Sequence, residues 1–215
     1  MSIALSSITG IRRRHRLRTL VVLVTAAALC IALLLITFSL GAAGVPAVRS
    51  FPAMFGVGDK FDVLVVQDLR LPRGAAAILS GIAFGLAGAL FQSTLRNNLA
   101  SPDILGISGG ASLGAVTAVV GYGAHGTPVN LAAFAGAIGA AVAIWALAWR
   151  NGLHGLRFVL VGVGIAYLCG SLISWRLAEA ELREAGTVLL WTVGSVADVR
   201  EGTLGVLALG VVVLA

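Results

Sequence analysis

Charged residues are scarce in this sequence. They make up 11% of its 215 residues, while 59% of the residues are hydrophobic and the mean hydropathy is +1.01. Soluble domains carry about 25% charged residues, so this composition excludes an ordinary water-soluble domain. Several apolar runs are continuous and close to the length of about 20 residues that a membrane-spanning helix needs. We therefore predict an all-α fold, a polytopic transmembrane helical bundle.

Residues with catalytic or metal-binding chemistry are also few. The two cysteines, Cys30 and Cys169, fall inside apolar runs without metal-ligand spacing, which favours buried thiols over a disulfide or a metal site. His15, His125 and His154 are scattered, and the sequence contains neither a His-Glu-x-x-His motif nor a Gly-x-x-x-x-Gly-Lys-Ser/Thr phosphate loop. The sequence thus predicts no metal, no cofactor, no catalytic residue and no ATPase activity of its own.

Ionisable residues are missing from the middle of the apolar runs, which argues against a proton- or sodium-coupled carrier. Three glutamates do lie close together after the fifth run, along with Arg176 and Arg183. This pattern favours a solvated, charged helix face over a metal or acid–base site. The three are Glu179, Glu181 and Glu184.

The net charge of +6 comes from arginines spread among the loops, so it does not predict nucleic-acid binding. The largest basic cluster directly precedes the first apolar run, which places the N-terminus in the cytoplasm under the positive-inside rule. That run, Leu20 to Leu40, exceeds the roughly 7–15-residue core of a secretory signal, which indicates a retained span. Residues 1–16 are the predicted cytoplasmic tail and 17–215 the transmembrane domain. The cluster consists of Arg12, Arg13, Arg14, Arg16 and Arg18.

The apolar runs predict five complete spans and the start of a sixth. Pro46 and Pro52 act as breakers in a loop, 41–62, between the first two spans, and the polar segment 176–200 has room for a short helix. The inner turns, 96–103 and 150–157, are short and basic, which supports the orientation. The spans are expected at about 17–40, 63–95, 104–122, 129–149 and 158–175, and the sixth begins at Thr203.

An Arg-Leu-Pro-Arg sequence lies near the outer end of the second span. Pro72 removes one backbone hydrogen bond and is expected to kink or restart the helix. Arg70 and Arg73 are three residues apart, so on a helix they share a face. The pair can anchor the helix at the membrane interface, with Asp68 as a partner. It can equally present a positive surface to the carboxylates of a docking protein, and the residues alone leave both open.

A polar turn joins the second and third spans. Its Asn97, Asn98 and Pro102 are turn formers, and Ser101 or Asp103 is expected to cap a helix that begins near residue 104.

Gln92 precedes this turn and is a candidate contact of a passage or of packing. Gly106, Gly110 and Gly114 recur at every fourth place and form a small-residue face. Such a face serves tight helix packing or the wall of a passage that must part, and the spacing fits both. Gly81 and Gly85 make a similar face.

Several motifs in this order resemble the membrane subunits of the ATP-binding-cassette importers for iron-siderophores, haem and cobalamin (FecCD-type permeases). The resemblance extends from the first span to the end of the chain. The motifs are RLPR (70–73), SGIAFGLAGALFQ (80–92), RNNLASPDILGISGGASLGA (96–115), LVGVGIA (160–166) and WTVGS (191–195).

The resemblance implies a fold of about ten spans per subunit, and the function it implies rests on analogy. Two permease subunits, identical or different, are implied around a central path in the cytoplasmic membrane. Separate ATP-binding subunits are implied below, and a substrate-binding lipoprotein or periplasmic protein outside. Arg70 and Arg73 resemble the arginines that pair with glutamates of the binding protein, and the span from Ile104 resembles a helix beside the path.

Two departures from the family pattern stand out. Asn98 replaces the proline of the usual Asn-Pro-Leu-Ala turn, which is expected to be tolerated. The chain also stops within what resembles the sixth span, so the match is to the N-terminal two-thirds of a permease, and we predict that this chain alone cannot couple ATP hydrolysis to transport.

The sequence therefore predicts a transport subunit and not an enzyme, with ferric siderophore as the cargo. Import of cobalamin or haem, and a non-functional or regulatory fragment, are the alternatives. An uncoupled channel or secondary carrier would be favoured by inverted repeats or charges within the spans. An intramembrane enzyme would need a nucleophile–base pair or a metal motif inside a span, and the sequence contains neither.

Overall fold

The computed structural model describes residues 2–39, 45–98, 101–150, 155–180, 182–197, 199 and 201–215. Every regular element within these residues is a helix, which confirms the all-α prediction. In chain order the elements are α1 (Ser2–Ser39), α2 (Ala47–Ala53), α3 (Lys60–Leu64), a π-helix (Val65–Arg70), α4 (Leu71–Leu95), α5 (Ile107–Tyr122), α6 (Thr127–Ala148), α7 (Gly155–Glu179), α8 (Leu182–Val193) and α9 (Glu201–Leu214).

Four helical stretches are long and apolar enough to cross a membrane, as expected of a multi-pass protein. They are Arg16–Phe38, Lys60–Leu95, Thr127–Ala148 and Gly155–Glu179. The third expected span, α5, has 16 residues and a length of about 24 Å at 1.5 Å per residue, less than the hydrocarbon thickness of about 30 Å. The total of five spans and part of a sixth therefore stays a prediction.

The chain divides into two compact units. The first comprises Met1–Ala75 and Val199–Glu201, and the second comprises Ala76–Asp198 and Gly202–Ala215. In the first unit, α1 packs against α2 and the π-helix, and α3 packs against the same two helices. The buried residues there are Val45, Ala53, Val65 and Val66.

The loop predicted at 41–62 is wrong for its described part, because residues 47–53 form α2 and residues 60–64 begin the next helix. Pro52 lies inside α2 and lacks the N–H that would bond the carbonyl four residues earlier. The helix ends one residue later, so the proline costs a single bond. Pro52 therefore limits the length of α2 but does not prevent the helix from forming.

The second unit is organised around α5, which packs against α6, α7 and α8. The residues of its inner face are small, and Ala115, Val116 and Val119 are almost completely buried. Ile144 of α6 and Val188 of α8 are buried as well. The helix α5 has no polar face, and its central position agrees with the expectation that a helix apolar all round is buried.

The start of α5 differs from the prediction. The helix begins at Ile107, and its N-cap is Gly106, which has a left-handed backbone at φ +78°. Ser101 still accepts a hydrogen bond, at 3.3 Å from the Ile104 N–H to its Oγ, but this bond closes a separate turn. The Gly106 N–H donates to the Asp103 carbonyl, so residues 101–106 form a turn of their own. Ser101 and Asp103 belong to this turn, and neither of them is the N-cap of α5.

Candidate functional site

An irregular turn precedes α4 in the Arg-Leu-Pro-Arg segment. The π-helix spans Val65–Arg70, and the Leu71 N–H donates to the Val66 carbonyl, five residues back. Pro72 follows and has no N–H, so it cannot continue the regular ladder. Wide turns of this kind occur frequently at functional sites, and this one ends on Arg70.

Arg70 is buried, with 7% of its surface exposed. Its Nη1 donates to the Phe38 carbonyl, to the Val45 carbonyl at 3.2 Å and to Ser50 Oγ at 3.0 Å. Nη2 is also buried and has no hydrogen-bond partner among the described residues. Since Phe38 lies in the last turn of α1, the guanidinium sits at the negative end of that helix dipole. Arg70 therefore fastens the end of α1 to the segment that enters α2.

Arg73 is exposed, so the two arginines, although three residues apart, lie in different surroundings. The ion pairs among the described residues join Arg49 to Asp62 and Arg176 to Glu179. Asp68 is exposed and pairs with neither arginine, contrary to the partner considered from the sequence. Docking by this pair stays a prediction, and Arg73 is the member whose charge is accessible.

Two further polar contacts hold the small helices next to Arg70. Arg49 Nη1 lies 3.6 Å from a carboxylate oxygen of Asp62, which is 4% exposed. Gln67 Nε2 donates to the Met54 carbonyl at 3.3 Å. The sequence predicted neither contact, because Arg49, Met54 and Asp62 were all assigned to a loop without structure of its own.

The inner-turn residues lie near the C-terminal end of α4. Gln92 is exposed, and its carbonyl accepts the Asn97 N–H at 3.2 Å. Asn98 is exposed, and Pro102 is half-buried. The assignment of Asn97, Asn98 and Pro102 to a turn agrees with the structure, and Gln92 lies in α4. A role of these residues in transport stays a prediction.

The three glycines of the predicted face contact two different helices. A Cβ on Gly106 would lie 2.6 Å from the Ala166 backbone nitrogen in α7. A Cβ on Gly110 would lie 2.6 Å from the Gly136 carbonyl oxygen in α6, and one on Gly114 would overlap the Ala132 carbonyl oxygen. These glycines therefore let α5 touch both neighbours at backbone distance.

Gly110 and Gly114 also line an apolar groove of about 570 Å³ among α5, α6 and α7. The packing role is therefore confirmed at these positions, while a role in the wall of a passage stays a prediction. Gly81 and Gly85 behave differently, because a Cβ on either would meet nothing within 4 Å. Their small-residue face is open among the described residues.

One contact across the second unit could not be foreseen from the sequence. Ser112 Oγ donates to the Trp191 carbonyl at 3.0 Å and so joins α5 to α8 across 79 residues. A serine in an apolar helix indicates that a polar partner is present. Nothing in its neighbours along the chain identifies which carbonyl that is.

The described residues contain no group of three or more side chains suited to a metal ion. Of the predicted charged cluster, Arg176 and Glu179 lie in the last turn of α7, where their side chains pair at 3.0 Å in the exposed manner expected. Arg176 also lies 4.9 Å from the ring centroid of Trp175. The side chains of Glu181, Arg183 and Glu184 lie outside the described residues.

Residues 20–215 match the model of the FecCD transport family. Curated relatives include the ferric enterobactin transport system permease protein FepG of Escherichia coli strain K12, with 38% identity over 72% of this chain and 47% of the relative. The probable siderophore transport system permease protein YfhA of Bacillus subtilis strain 168 is 31% identical over 77% of this chain and 50% of its own. The vitamin B12 import system permease protein BtuC of Vibrio vulnificus is 35% identical over 68% and 45%.

The chain thus spans about half the length of these relatives, less than the two-thirds expected from the sequence. A solved metal-chelate type ABC transporter, in an inward-facing conformation, has a similar fold, with a TM-score of 0.71. The similarity covers 89% of this chain and 59% of that one at 20% identity, so it supports the fold alone. From the family match over nearly its whole length, the chain belongs to the FecCD transport family of membrane permeases.

Proposed function

We propose that the chain is part of the permease of an ATP-binding-cassette importer that carries ferric siderophores across the cytoplasmic membrane. The observation that carries this proposal is the family match over residues 20–215. One of the curated relatives above is named for ferric enterobactin transport and another for siderophore transport. A third is named for vitamin B12, so cobalamin is the second candidate cargo.

The partners follow from this proposal. The sequence has no phosphate loop, so ATP hydrolysis belongs to separate cytoplasmic subunits, and a second permease subunit completes the path. The N-terminus lies in the cytoplasm. The end of α1 near Arg70 then faces outward, where a substrate-binding protein docks.

Arg73 is the residue that we expect to meet this binding protein. It is exposed, whereas Arg70 is buried and donates hydrogen bonds to the Phe38 and Val45 carbonyls and to Ser50. A planar guanidinium accepts a carboxylate in a bidentate manner. Arg70 contributes by fixing the start of α4, the helix that carries Arg73.

The passage lies beside α5. Gly106, Gly110 and Gly114 allow α5 to approach its neighbours closely, and the groove beside Gly110 and Gly114 is lined almost entirely by apolar groups. An apolar wall with few polar contacts suits a large chelate that must not be held tightly. Gln92 lies at the cytoplasmic side of this proposed route.

The test is deletion of the codons for residues 20–215 in the native host, followed by uptake measurements. Uptake of radioactive iron as a ferric catecholate and as a ferric hydroxamate is compared with uptake of radioactive cobalamin. We expect loss of at least one ferric chelate with cobalamin uptake retained, and restoration by a plasmid copy. Loss of cobalamin uptake alone would favour the second candidate, and unchanged uptake of all three would refute both.

The same host tests the role of Arg73. Complementation with Arg73→Glu should lower iron uptake, because the reversed charge repels acidic groups of the binding protein. Complementation with Arg73→Lys should retain part of it. Equal uptake with Arg73→Glu and the unaltered gene would remove Arg73 from the docking surface while leaving the transport proposal intact.

A further inference from the structure

The π-helix between α3 and α4 changes which residues of a long helical stretch share a side. The stretch Lys60–Leu95 is continuous, and the π-helix takes up Val65–Arg70 within it. In an α-helix of about 3.6 residues per turn, Val65 would lie about 140° around the axis from Arg70. In a π-helix, residues five apart are joined by a hydrogen bond and come close to one line. Val65 and Arg70 are 3% and 7% exposed, so the π-helix brings Val65 to the buried side that holds Arg70.

Four buried residues at intervals of four show the same effect over a longer distance. Such intervals drift around an α-helix by about 40° per step, or about 120° from the first residue to the last. A π-helix that takes up one extra residue removes about 100° of this drift, and the remaining 20° or so keeps all four on one side. The four are Asp62, Val66, Arg70 and Gly74.

This side of the stretch contacts the rest of the first unit at three levels. Asp62 pairs with Arg49 of α2 at 3.6 Å, and a Cβ on Gly74 would lie 3.4 Å from the Leu34 side chain of α1. Between these two levels, Arg70 bonds both α1 and α2. An α-helix held at Arg70 and Gly74 would place Asp62 about 80° away from the line of Arg70. The ion pair with Arg49 therefore depends on the π-helix.

Pro72 is the residue that accounts for the π-helix at this place. It is the second residue of α4, and a proline ring inside an α-helix clashes with the carbonyl four residues before it, here that of Asp68. In the π-helix the pairing is shifted by one residue, since the Leu71 N–H donates to the Val66 carbonyl five residues back. The chain thus reaches the proline in a register that does not direct the Asp68 carbonyl at its ring.

We propose that Pro72 is a positioning residue, which fixes the π-helix and so aligns α3 with α4 on the side that holds α2. The alignment also sets the orientation of two exposed arginines. Arg49, whose side chain is 62% exposed, is tied to Asp62 before the π-helix, and Arg73 lies after it. The surface around Arg73 therefore depends on Pro72. Its importance for transport rests on the proposed function, in which Arg73 meets the binding protein.

The reactivity of single cysteines tests the alignment. In a chain carrying Cys30→Ala and Cys169→Ala, the reporter is Val65→Cys. The matched control is Leu64→Cys, one residue away and 53% exposed, which stays off the buried side in either register. The rate of reaction with N-ethylmaleimide in detergent is measured with Pro72 in place and with Pro72→Ala.

With Pro72 in place, we expect Val65→Cys to react several-fold more slowly than Leu64→Cys. Pro72→Ala should bring the two rates together, because the helix can then pair regularly and residue 65 turns outward. Deletion of Leu69, which is exposed, removes the extra residue. In the Pro72→Ala chain this deletion gives a regular α-helix with Val65 only about 40° from Arg70, so the rate at Val65→Cys should fall again.

Two results would overturn the proposal. A slow rate at Val65→Cys that persists with Pro72→Ala would mean that the contacts with α2 hold the π-helix without the proline. A fast rate that deletion of Leu69 does not reverse would mean that Pro72→Ala loosens the fold in general and does not change the register of the helix.

Iron uptake tests the importance for transport separately. In the native host, complementation with Pro72→Ala should lower uptake of the ferric chelate that the gene deletion abolishes, and the added deletion of Leu69 should recover part of it. Unchanged uptake with Pro72→Ala, together with changed labelling rates, would overturn the link to docking while the alignment stands. Failure of the transport proposal would instead appear as unchanged uptake after deletion of the whole gene, which has no bearing on the labelling rates.

Discussion

At the scale of single residues, the most informative observation concerns two arginines in one motif that meet different surroundings. Arg70 donates to the Phe38 and Val45 carbonyls and to Ser50, whereas Arg73 is exposed. Their spacing of three residues correctly indicated neighbouring positions on a helix. It could not indicate that Arg70 is buried and Arg73 exposed.

Replacing Arg70 should therefore destabilise the protein, and replacing Arg73 should not. Arg70→Met removes three donated bonds, two of them buried, and a bond of a charged group contributes about 1.5–3 kcal/mol. Arg73→Met should change the free energy of unfolding by less than about 0.5 kcal/mol. Thermal unfolding in detergent measures both variants, and Arg70→Lys should recover only part of the loss because an ammonium lacks the planar fork. Equal melting temperatures for the two methionine variants would contradict this role.

The glycines of α6 allow a comparison within one helix. A Cβ on Gly136 would overlap the Gly110 carbonyl oxygen of α5, whereas a Cβ on Gly139 would meet nothing within 4 Å. Gly136→Ala should destabilise the second unit by about 1–3 kcal/mol, as overpacking does. Gly139→Ala should be neutral, or stabilising by up to about 1 kcal/mol through helix propensity. Unfolding in detergent distinguishes them, and a stable Gly136→Ala would mean that α5 and α6 are free to separate.

At the scale of elements, the start of α5 is set by Gly106. Its left-handed backbone, at φ +78°, ends the turn 101–106, and its missing side chain lets α7 approach. The sequence predicted a polar cap at Ser101 or Asp103, because those residues are the usual N-caps. Their side chains do not cap α5, since the helix starts only after the buried Leu105 and Gly106.

Gly106 has both a left-handed backbone and a close contact with α7, and comparison with a second glycine separates the two effects. Gly123 also has a left-handed backbone, at φ +59°, but a Cβ there would meet nothing within 4 Å. Gly123→Ala should cost about 1–2 kcal/mol from backbone strain alone. Gly106→Ala should cost about 1–3 kcal/mol more, because its Cβ would also lie 2.6 Å from the Ala166 nitrogen. Melting temperatures of the two variants check the difference, and equal values would show that the close approach to α7 is not required.

The elements also show how far the sequence could be interpreted. Long apolar runs predicted the four stretches that are long enough to span to within about four residues, because lipid requires continuous helices. These stretches are Arg16–Phe38, Lys60–Leu95, Thr127–Ala148 and Gly155–Glu179, whereas α1 itself extends back to Ser2, through the predicted tail. The helix α2 was missed, since it is short and contains Pro52 and is held by Arg70 from a distant part of the chain. Likewise, the sequence predicted one small-residue face formed by Gly106, Gly110 and Gly114. It could not predict that Gly106 contacts α7 while the other two contact α6, because this depends on where those helices lie.

At the scale of the whole molecule, the path of the chain across the membrane is the main expectation still to be tested. The basic residues in the N-terminal half of α1, ahead of its spanning stretch, and those in the turn after α6 predict a cytoplasmic N-terminus. The helix α5 has only 16 residues, but it packs against α6 and α7, which are long enough to span. Leu105 in the turn before it is fully buried. Protein surroundings of this kind allow irregular backbone at membrane depth, so we expect α5 to cross together with its preceding turn.

Labelling of single cysteines in intact cells tests this path. In the chain carrying Cys30→Ala and Cys169→Ala, an impermeant maleimide should label Asp59→Cys and His125→Cys, and should reach Arg14→Cys and Arg150→Cys only after permeabilisation. All four positions are exposed, so protection in intact cells reports the membrane and not the fold. Labelling of Arg14→Cys from outside would reverse the orientation. Protection of His125→Cys, with Asp59→Cys labelled, would mean that α5 does not cross, because the segment between α5 and α6 would then share the side of the inner turns.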